Sequence, residues 1–175
     1  MLLLSTFPID ATAARSFALL PWKDLPDARL PLADDGTPFL DPEAEAAMRL
    51  SSKSHWDVPV VLPSGARLHV LASHPTPPVF DGPEDLNGRR NADEIQFWQL
   101  YLDGVTFADD AGLTAAFSGD TFAIMGDLNS DPVDGDSSHS AVQALLMHPL
   151  IQDPLPKSAG GLEASALQGL SLIHI

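Results

Sequence analysis

The most specific stretch of the chain reads TFAIMGDLNSD and spans residues 121–131. Its apolar first half predicts a short strand that ends at Gly126, where the absence of a Cβ lets the backbone turn. Asp127 and Asn129 follow, and they point to the same side if the chain stays extended. A carboxylate beside a neutral amide suits a hard divalent cation together with a phosphoryl oxygen. The stretch therefore predicts a polar site just beyond a strand end.

Two other interpretations of this segment compete with a polar site. In the first, Asp127 and Asn129 only cap nearby backbone amides, as Asx turns do. In the second, residues 127–131 begin a calcium loop of the EF-hand kind, but Pro132 stands where that loop needs Gly and Ser138 where it needs Glu. The EF-hand interpretation is therefore rejected, while turn chemistry and catalysis are equally favoured by this segment alone.

A histidine follows a second predicted strand. Residues 56–61 and 67–72 are strand-like, and the turn residues 63–65 between them predict a β-hairpin. His74 ends the second strand, and Pro75 then directs the backbone into a loop. A His in such a position can contact phosphate or transfer a proton. A lone His more often donates a hydrogen bond to a loop carbonyl, so His74 is a candidate site residue only in combination with other residues.

Two adjacent arginines precede a predicted helix. Apolar residues recur at helical spacing in residues 91–102 and predict a helix there. Arg89 and Arg90 would then stand at its start, where anions bind and guanidinium groups fit phosphate oxygens. The competing interpretation is a solvated ion network with the acidic residues of the segment 81–93, and the two are evenly matched. The recurring apolar residues are Ile95, Trp98 and Leu102.

Composition places the chain among acidic globular proteins. Its 175 residues, 45% of them hydrophobic, suffice for one domain with a buried core. The net charge of −15 argues against simple electrostatic binding of nucleic acid and makes long duplex DNA a poor partner. Because Cys is absent, disulfides, Cys-zinc sites and thiol nucleophiles are excluded. No membrane-spanning run and no signal peptide are recognisable, and the compartment stays open to a secreted or periplasmic parent protein.

The remaining patterns predict an α/β or α+β chain with a layered sheet. Residues 2–6 read as a short buried strand, and residues 10–42 as an extended excursion with one helical turn. Asp41 is predicted to cap a short helix, and apolar residues within 142–146 mark another helix. Residues 158–175 form a tail rich in Gly, Ala, Ser and Leu, for which no element is predicted.

Taken together, these motifs resemble a known family. In chain order, SHP at 73–75, Arg90 at a helix start and GDLNSD at 126–131 look like the endonuclease/exonuclease/phosphatase superfamily, which has the DNase I-like fold. Residues 51–58 are similar to a bacterial branch of that superfamily. The resemblance covers residues 2–150, and Gly-Asp-x-Asn is its most specific part.

The resemblance implies a two-sheet sandwich flanked by helices and a divalent-metal-dependent phosphoesterase site. The cofactor would be Mg²⁺, or another divalent cation such as Ca²⁺ or Mn²⁺, and the substrate a phosphodiester or a phosphomonoester. By the same resemblance, His74, Asp127 and Asn129 are the catalytic residues and Asp127 is also the metal ligand. Arg90 would contact the substrate phosphate. The sequence leaves the oligomeric state open.

The chain also departs from the family's pattern. The family's first strands carry an Asn and a metal-binding Glu, and its closing strand carries an Asp-His pair; none of these is matched here. We therefore expect residues 1–157 to be a partial domain, incomplete at both ends and inactive, followed by a poorly structured tail over residues 158–175. The alternative is a non-catalytic, acidic extracellular module in which Asp131, Asp134 and Asp136 bind Ca²⁺.

Overall fold

The computed structural model describes residues 1–153 and, beyond them, residues 160, 163, 166 and 167. This part of the chain is a mixed α/β structure with a four-stranded sheet, a two-stranded sheet and few helices. The strands are β1 (Arg15–Ser16), β2 (His55–Val61), β3 (Arg67–Ser73), β4 (Phe107–Ala108), β5 (Thr114–Ala115) and β6 (Phe122–Gly126). The helices are α1 (Pro42–Ala47), α2 (Leu86–Leu102) and α3 (His139–Leu146), with a 3₁₀ helix at Trp22–Asp24.

The four-stranded sheet has the strand order β1-β2-β3-β6. β2 and β3 form the predicted antiparallel hairpin, and Gly65 in its turn adopts a φ of +84°. The chain then crosses through α2 and returns as β6, which pairs in parallel with β3. β1 pairs antiparallel with β2 on the opposite side. β6 is therefore one edge of this sheet.

Helix α2 forms the centre of the core. Ile95 and Trp98 are fully buried and Leu102 is nearly so, as their helical spacing predicts. Nε1 of Trp98 donates a hydrogen bond to the Ser73 hydroxyl at 2.9 Å, which ties the helix to the end of β3. Buried residues of the N-terminal excursion complete the same cluster. They are Phe17, Leu20, Trp22 and Leu25.

Several sequence-based predictions are confirmed by this structure. The mixed α/β class, the hairpin and the strand before Asp127 are all present. The helix after Asp41 is also present, because the Asp41 carboxylate accepts hydrogen bonds from the amides of Glu43 and Ala44. Within the described ranges, none of the helices combines the length and the apolar character needed to cross a bilayer.

The strand predicted over residues 2–6 is wrong. These residues form no strand and are mostly exposed, with Leu3 alone packing against the small cluster around Val60. A continuous apolar run suits a strand that is covered on both faces, and no second layer covers this segment in the described part of the chain. The chain reaches the sheet at Pro8 and Ile9: the amide of Val61 donates to the Pro8 carbonyl oxygen at 2.8 Å, and Ile9 forms an isolated antiparallel bridge with Val60.

The predicted start of α2 is also wrong, because the helix begins at Leu86 rather than at Asn91. The amide of Asn87 already donates a hydrogen bond to the Asp81 carboxylate at this end. The first turn carries polar residues and a glycine, so apolar periodicity could not reveal it. Arg90 consequently lies inside the helix, and the anion-binding helix start expected beside it is not there.

The sheets are smaller than those of the expected sandwich. The structure shows one four-stranded sheet and the two-stranded sheet of β4 and β5. The mixed α/β class is thus established. Apart from residues 160, 163, 166 and 167, the tail predicted over residues 158–175 lies outside the described residues.

Candidate functional site

β3 and β6 end side by side at one rim of the sheet. Their parallel register pairs Ser73 with Gly126, so the chain leaves both strands at the same level. Gly126 has a φ of +142°, and a Cβ built on it would lie 1.9 Å from the Ser73 carbonyl oxygen. Glycine at this position therefore permits the two strand ends to approach each other.

His74 and Asp127 are the first residues beyond these two strand ends. Nε2 of His74 lies 3.8 Å from Oδ2 of Asp127, and the two side chains are 38% and 62% exposed. Solvent or a ligand can therefore reach both groups. We call His74, Asp127 and Asn129 the rim cluster.

Asn129 joins the rim cluster through the loop that follows His74. Its Nδ2 donates a hydrogen bond to the Pro75 carbonyl oxygen at 3.0 Å. Its backbone is left-handed, with a φ of +49°, and its amide donates to Oδ1 of Asp127 at 3.0 Å. The turn interpretation is thus confirmed for Asp127, whereas the Asn129 side chain bonds a carbonyl oxygen of another loop rather than an amide. The turn itself brings Asn129 beside the loop of His74, so turn chemistry and a site at the rim are compatible.

Glu94 is a supporting residue that the sequence reasoning missed. It is fully buried on α2, and its Oε1 accepts hydrogen bonds from the amide and the hydroxyl of Ser52 at 2.7 and 3.0 Å. Its Oε2 accepts the amide of Thr76 at 2.7 Å. Burial raises the pKa of Glu94 above its usual value, and these hydrogen bonds oppose that rise. One carboxylate thereby fixes the segment before β2 to the loop after β3.

Asn91 makes the corresponding connection to the loop after β6. Its Nδ2 donates hydrogen bonds at 2.9 Å to the carbonyl oxygens of Thr76 and Leu128. Asn91 and Glu94 lie three positions apart, so they occupy one face of α2. Polar residues at this spacing, on a face that otherwise reads as apolar, are the signal that could have revealed both. Together they hold the two loops that carry the rim cluster.

His55 stabilises the same region as a neutral residue. It is almost completely buried, Nε2 donates to the carbonyl oxygen of Glu94 at 2.8 Å, and Nδ1 accepts from the Ser51 hydroxyl at 3.0 Å. Burial lowers the pKa of His55 to about 4. The imidazole is therefore uncharged at neutral pH and serves as a hydrogen-bonding residue of the core.

Arg90 is not brought to the rim cluster. Its Nε donates a hydrogen bond to the Leu50 carbonyl oxygen at 2.9 Å, and its Nη2 donates to that of Arg49 at 2.7 Å. The guanidinium holds the chain before β2 against α2. Among the described residues, no hydrogen bond links it to His74, Asp127 or Asn129, so its expected role at a substrate phosphate has no geometric support.

The rim cluster supplies one carboxylate ligand for a divalent cation. Among residues 1–153 and the isolated positions beyond, no three His, Asp or Glu side chains form a group that could hold a metal ion. Asp127 is the carboxylate at the rim, and Mg²⁺ at such a site would keep water and take substrate oxygens as its other ligands. The three aspartates of the alternative calcium site, Asp131, Asp134 and Asp136, do not form a metal-binding group either.

Comparisons with known proteins add nothing to this geometry. No protein-family model, no curated protein and no solved structure matches the chain. The residues at the rim of the sheet are therefore the basis of the proposed function.

Proposed function

We propose that this chain carries the phosphate-binding part of a divalent-metal-dependent phosphoesterase with the DNase I-like fold. The observation that supports the proposal best is the 3.8 Å distance between Nε2 of His74 and Oδ2 of Asp127. Turn chemistry explains Asp127 and Asn129 without His74, whereas a reaction centre requires polar groups from separate loops to meet. The substrate class is a phosphodiester or a phosphomonoester.

The proposed reaction is the in-line attack of water on phosphorus. The water oxygen forms a bond to phosphorus, the bond to the leaving oxygen breaks, water loses a proton and the leaving oxygen gains one. His74 accepts or donates the proton at Nε2, and Asp127 orients the imidazole and the water. Asn129 donates the second hydrogen of its side-chain amide to a phosphoryl oxygen.

The negative charge of the protein is the reason why the proposed mechanism includes a cation. With a net charge of −15 and an exposed Asp127, the rim repels a phosphate group. A divalent cation held by Asp127 would offset this repulsion and the negative charge that develops on the phosphoryl oxygens. Because the rim cluster has a single carboxylate, we expect weak Mg²⁺ binding and negligible turnover by this chain.

The test is the binding of p-nitrophenyl phosphate, followed by the backbone amide resonances of the protein with and without Mg²⁺. We expect the resonances of His74, Thr76 and residues 127–129 to shift, and the shifts to saturate at lower ester concentration when Mg²⁺ is present. Asp127→Asn should remove the Mg²⁺ effect because it removes the charge that attracts the cation. His74→Ala should weaken binding in both conditions.

Asp103→Asn is the matched control. Asp103 also faces a histidine, with Oδ1 lying 3.1 Å from Nε2 of His148, and it is half exposed like Asp127. This variant should leave ester binding unchanged. Ester that binds away from the rim, or binding that is indifferent to both Mg²⁺ and Asp127→Asn, would contradict the proposal.

No observation favours the alternative of a calcium-binding module. Asp131 is buried, and its Oδ1 accepts hydrogen bonds from the amides of Val133 and Asp134 at 2.8 Å. This carboxylate therefore organises its own turn, as Asx residues do.

A further inference from the structure

We propose that Lys53 is the residue that binds the substrate phosphate at the rim cluster, in the role that the sequence motif assigned to Arg90. The inference rests on the proposed function for the identity of the substrate. The phosphate contact itself can be tested without turnover and without a metal ion.

The backbone next to Lys53 is anchored beside the rim cluster. Ser52 donates from its amide and its hydroxyl to the buried carboxylate of Glu94, and the same hydroxyl lies 3.4 Å from the carbonyl oxygen of His74. A long side chain that starts from a fixed backbone can reach only a limited region. The anchoring therefore restricts the Lys53 ammonium to the neighbourhood of the loop after β3.

The Lys53 ammonium lies beside the rim cluster because it donates to the same carbonyl oxygen as Asn129. Nζ of Lys53 donates to the Pro75 carbonyl oxygen at 3.4 Å, and Nδ2 of Asn129 donates to the same oxygen at 3.0 Å. A cationic donor and an amide donor are thus held side by side at the Pro75 carbonyl oxygen, next to His74. Each keeps at least one further donor hydrogen that a phosphoryl oxygen beside this carbonyl could accept, and charge-assisted hydrogen bonds of this kind are the stronger ones.

The charge environment leaves this ammonium available for an anion. Three arginines of this acidic protein are engaged with carboxylates, in the pairs Arg15–Asp109, Arg29–Asp93 and Arg67–Asp10. In the described part of the chain, Lys53 forms no ion pair, its side chain is exposed, and its hydrogen bond goes to a neutral carbonyl. Exchanging that carbonyl for a phosphoryl oxygen breaks no salt bridge.

Arg90 cannot take this role without losing existing contacts. Its guanidinium donates to the carbonyl oxygens of Arg49 and Leu50, which hold the chain before β2. Turning it toward a phosphate would leave these acceptors without their donor. Lys53 makes one long hydrogen bond, of 3.4 Å, and its acceptor would keep the donor that Asn129 supplies.

The experiment is a titration with inorganic phosphate in the absence of Mg²⁺, followed by amide resonances of the wild type and of three variants. Lys53→Gln should raise the dissociation constant about tenfold, the size of effect expected for one charge-assisted hydrogen bond. Lys53→Arg should restore most of the affinity because it restores the charge. Lys23→Gln, which changes an exposed lysine on the 3₁₀ helix, should have no effect.

The outcomes separate this inference from the proposed function. Two results would overturn the inference: equal phosphate binding by the wild type and Lys53→Gln, or the absence of any shift at His74, Thr76 and residues 127–129 of the wild type. Ester binding at the rim that depends on Mg²⁺ and Asp127 but not on Lys53 would overturn the inference alone. Phosphate binding that depends on Lys53, without any effect of Mg²⁺ or Asp127, would support the inference and contradict the phosphoesterase proposal.

Discussion

At Gly126 two backbones meet so closely that a single added carbon changes the structure. A Cβ added there would lie 1.9 Å from the Ser73 carbonyl oxygen, and backbone atoms cannot move aside as the end of a flexible side chain can. The φ of +142° is a second obstacle, because L side chains rarely adopt it. The site at the rim therefore depends on a residue that takes no part in its chemistry.

We expect Gly126→Ala to lower the free energy of unfolding by about 3 kcal/mol, because steric overlap adds to backbone strain. Urea unfolding measures this value. Gly65→Ala is the control: Gly65 also has a positive φ, of +84°, but nothing lies within 4 Å of its added Cβ. It should cost about 1 kcal/mol, from strain alone. Equal losses for the two variants would show that the approach of β3 and β6 is not what Gly126 serves.

His55 gives the stability a pH dependence of known sign. Its pKa is about 4 in the folded protein, against an ordinary value of 6.5, so the unfolded chain binds the proton more readily. Stability should therefore fall as the pH drops from about 6.5 to about 4, by about 3 kcal/mol at most. The raised pKa of Glu94, which faces the same region, acts in the opposite direction.

Unfolding by urea at several pH values, compared between the wild type and His55→Gln, isolates the histidine because Glu94 is present in both. The difference in unfolding free energy between the two proteins should shrink as the pH falls toward 4. A constant difference over this range would mean that His55 is not buried as a neutral imidazole.

At the scale of elements, α2 acts as a clamp on the loops that leave the sheet. Asn91 and Glu94 contact the segment before β2, the loop after β3 and the loop after β6 from one helix face. These are side-chain contacts to backbone groups, so they fix the loops whatever the identity of the loop side chains. The geometry of the rim cluster is consequently set from inside the core.

We expect Glu94→Gln to destabilise the fold by about 2 kcal/mol, because an NH₂ group would replace one of the two oxygens that accept backbone amides. The amide resonances of Ser52, His74 and Thr76 should shift in this variant. Glu43→Gln, an exposed carboxylate in the first turn of α1, should change stability by less than about 0.5 kcal/mol. Unchanged resonances at the rim in Glu94→Gln would contradict the clamp.

At the scale of the whole molecule, the outer edge of β6 has no pairing strand in the described part of the chain. β6 is the last strand in the sheet order, and Met125 on it is 55% exposed. A cavity of about 460 Å³ runs beside this strand toward α3 and is lined mainly by apolar side chains. Its lining includes Phe122, Ile124, Leu128, Leu145 and Leu146. An open edge next to an apolar groove favours association between molecules.

We expect the protein to self-associate, and Met125→Lys to reduce this because a charged residue on an edge strand opposes strand addition. Light scattering at increasing protein concentration measures the effect. Met147→Lys, at a more exposed methionine that follows α3, is the matched control and should change association much less. Equal suppression by both variants would point to net charge rather than to the edge of the sheet.

Local patterns in the sequence were sufficient for the elements whose signals are themselves local. The hairpin follows from two strand-like runs and a Gly-containing turn, and the cap of α1 follows from Asp41 before Pro42. The predictions for the start of α2 and for residues 2–6 were wrong. The first turn of α2 has a single apolar residue, Leu86, followed by polar residues and a glycine, so it shows no apolar periodicity, and an apolar run does not reveal whether a layer covers it.

The candidate site depends on contacts between segments far apart in the chain. The sequence singled out His74, Asp127 and Asn129 as separate motifs, but the parallel pairing of β3 with β6 is what sets Nε2 of His74 3.8 Å from Oδ2 of Asp127. The backbone partners of Lys53 and Glu94 could not be predicted, because these hydrogen bonds are made to other loops, far away in the chain for Lys53 and Pro75 and for Glu94 and Thr76 alike. Local propensity identifies which residues can do chemistry, whereas long-range packing brings them together.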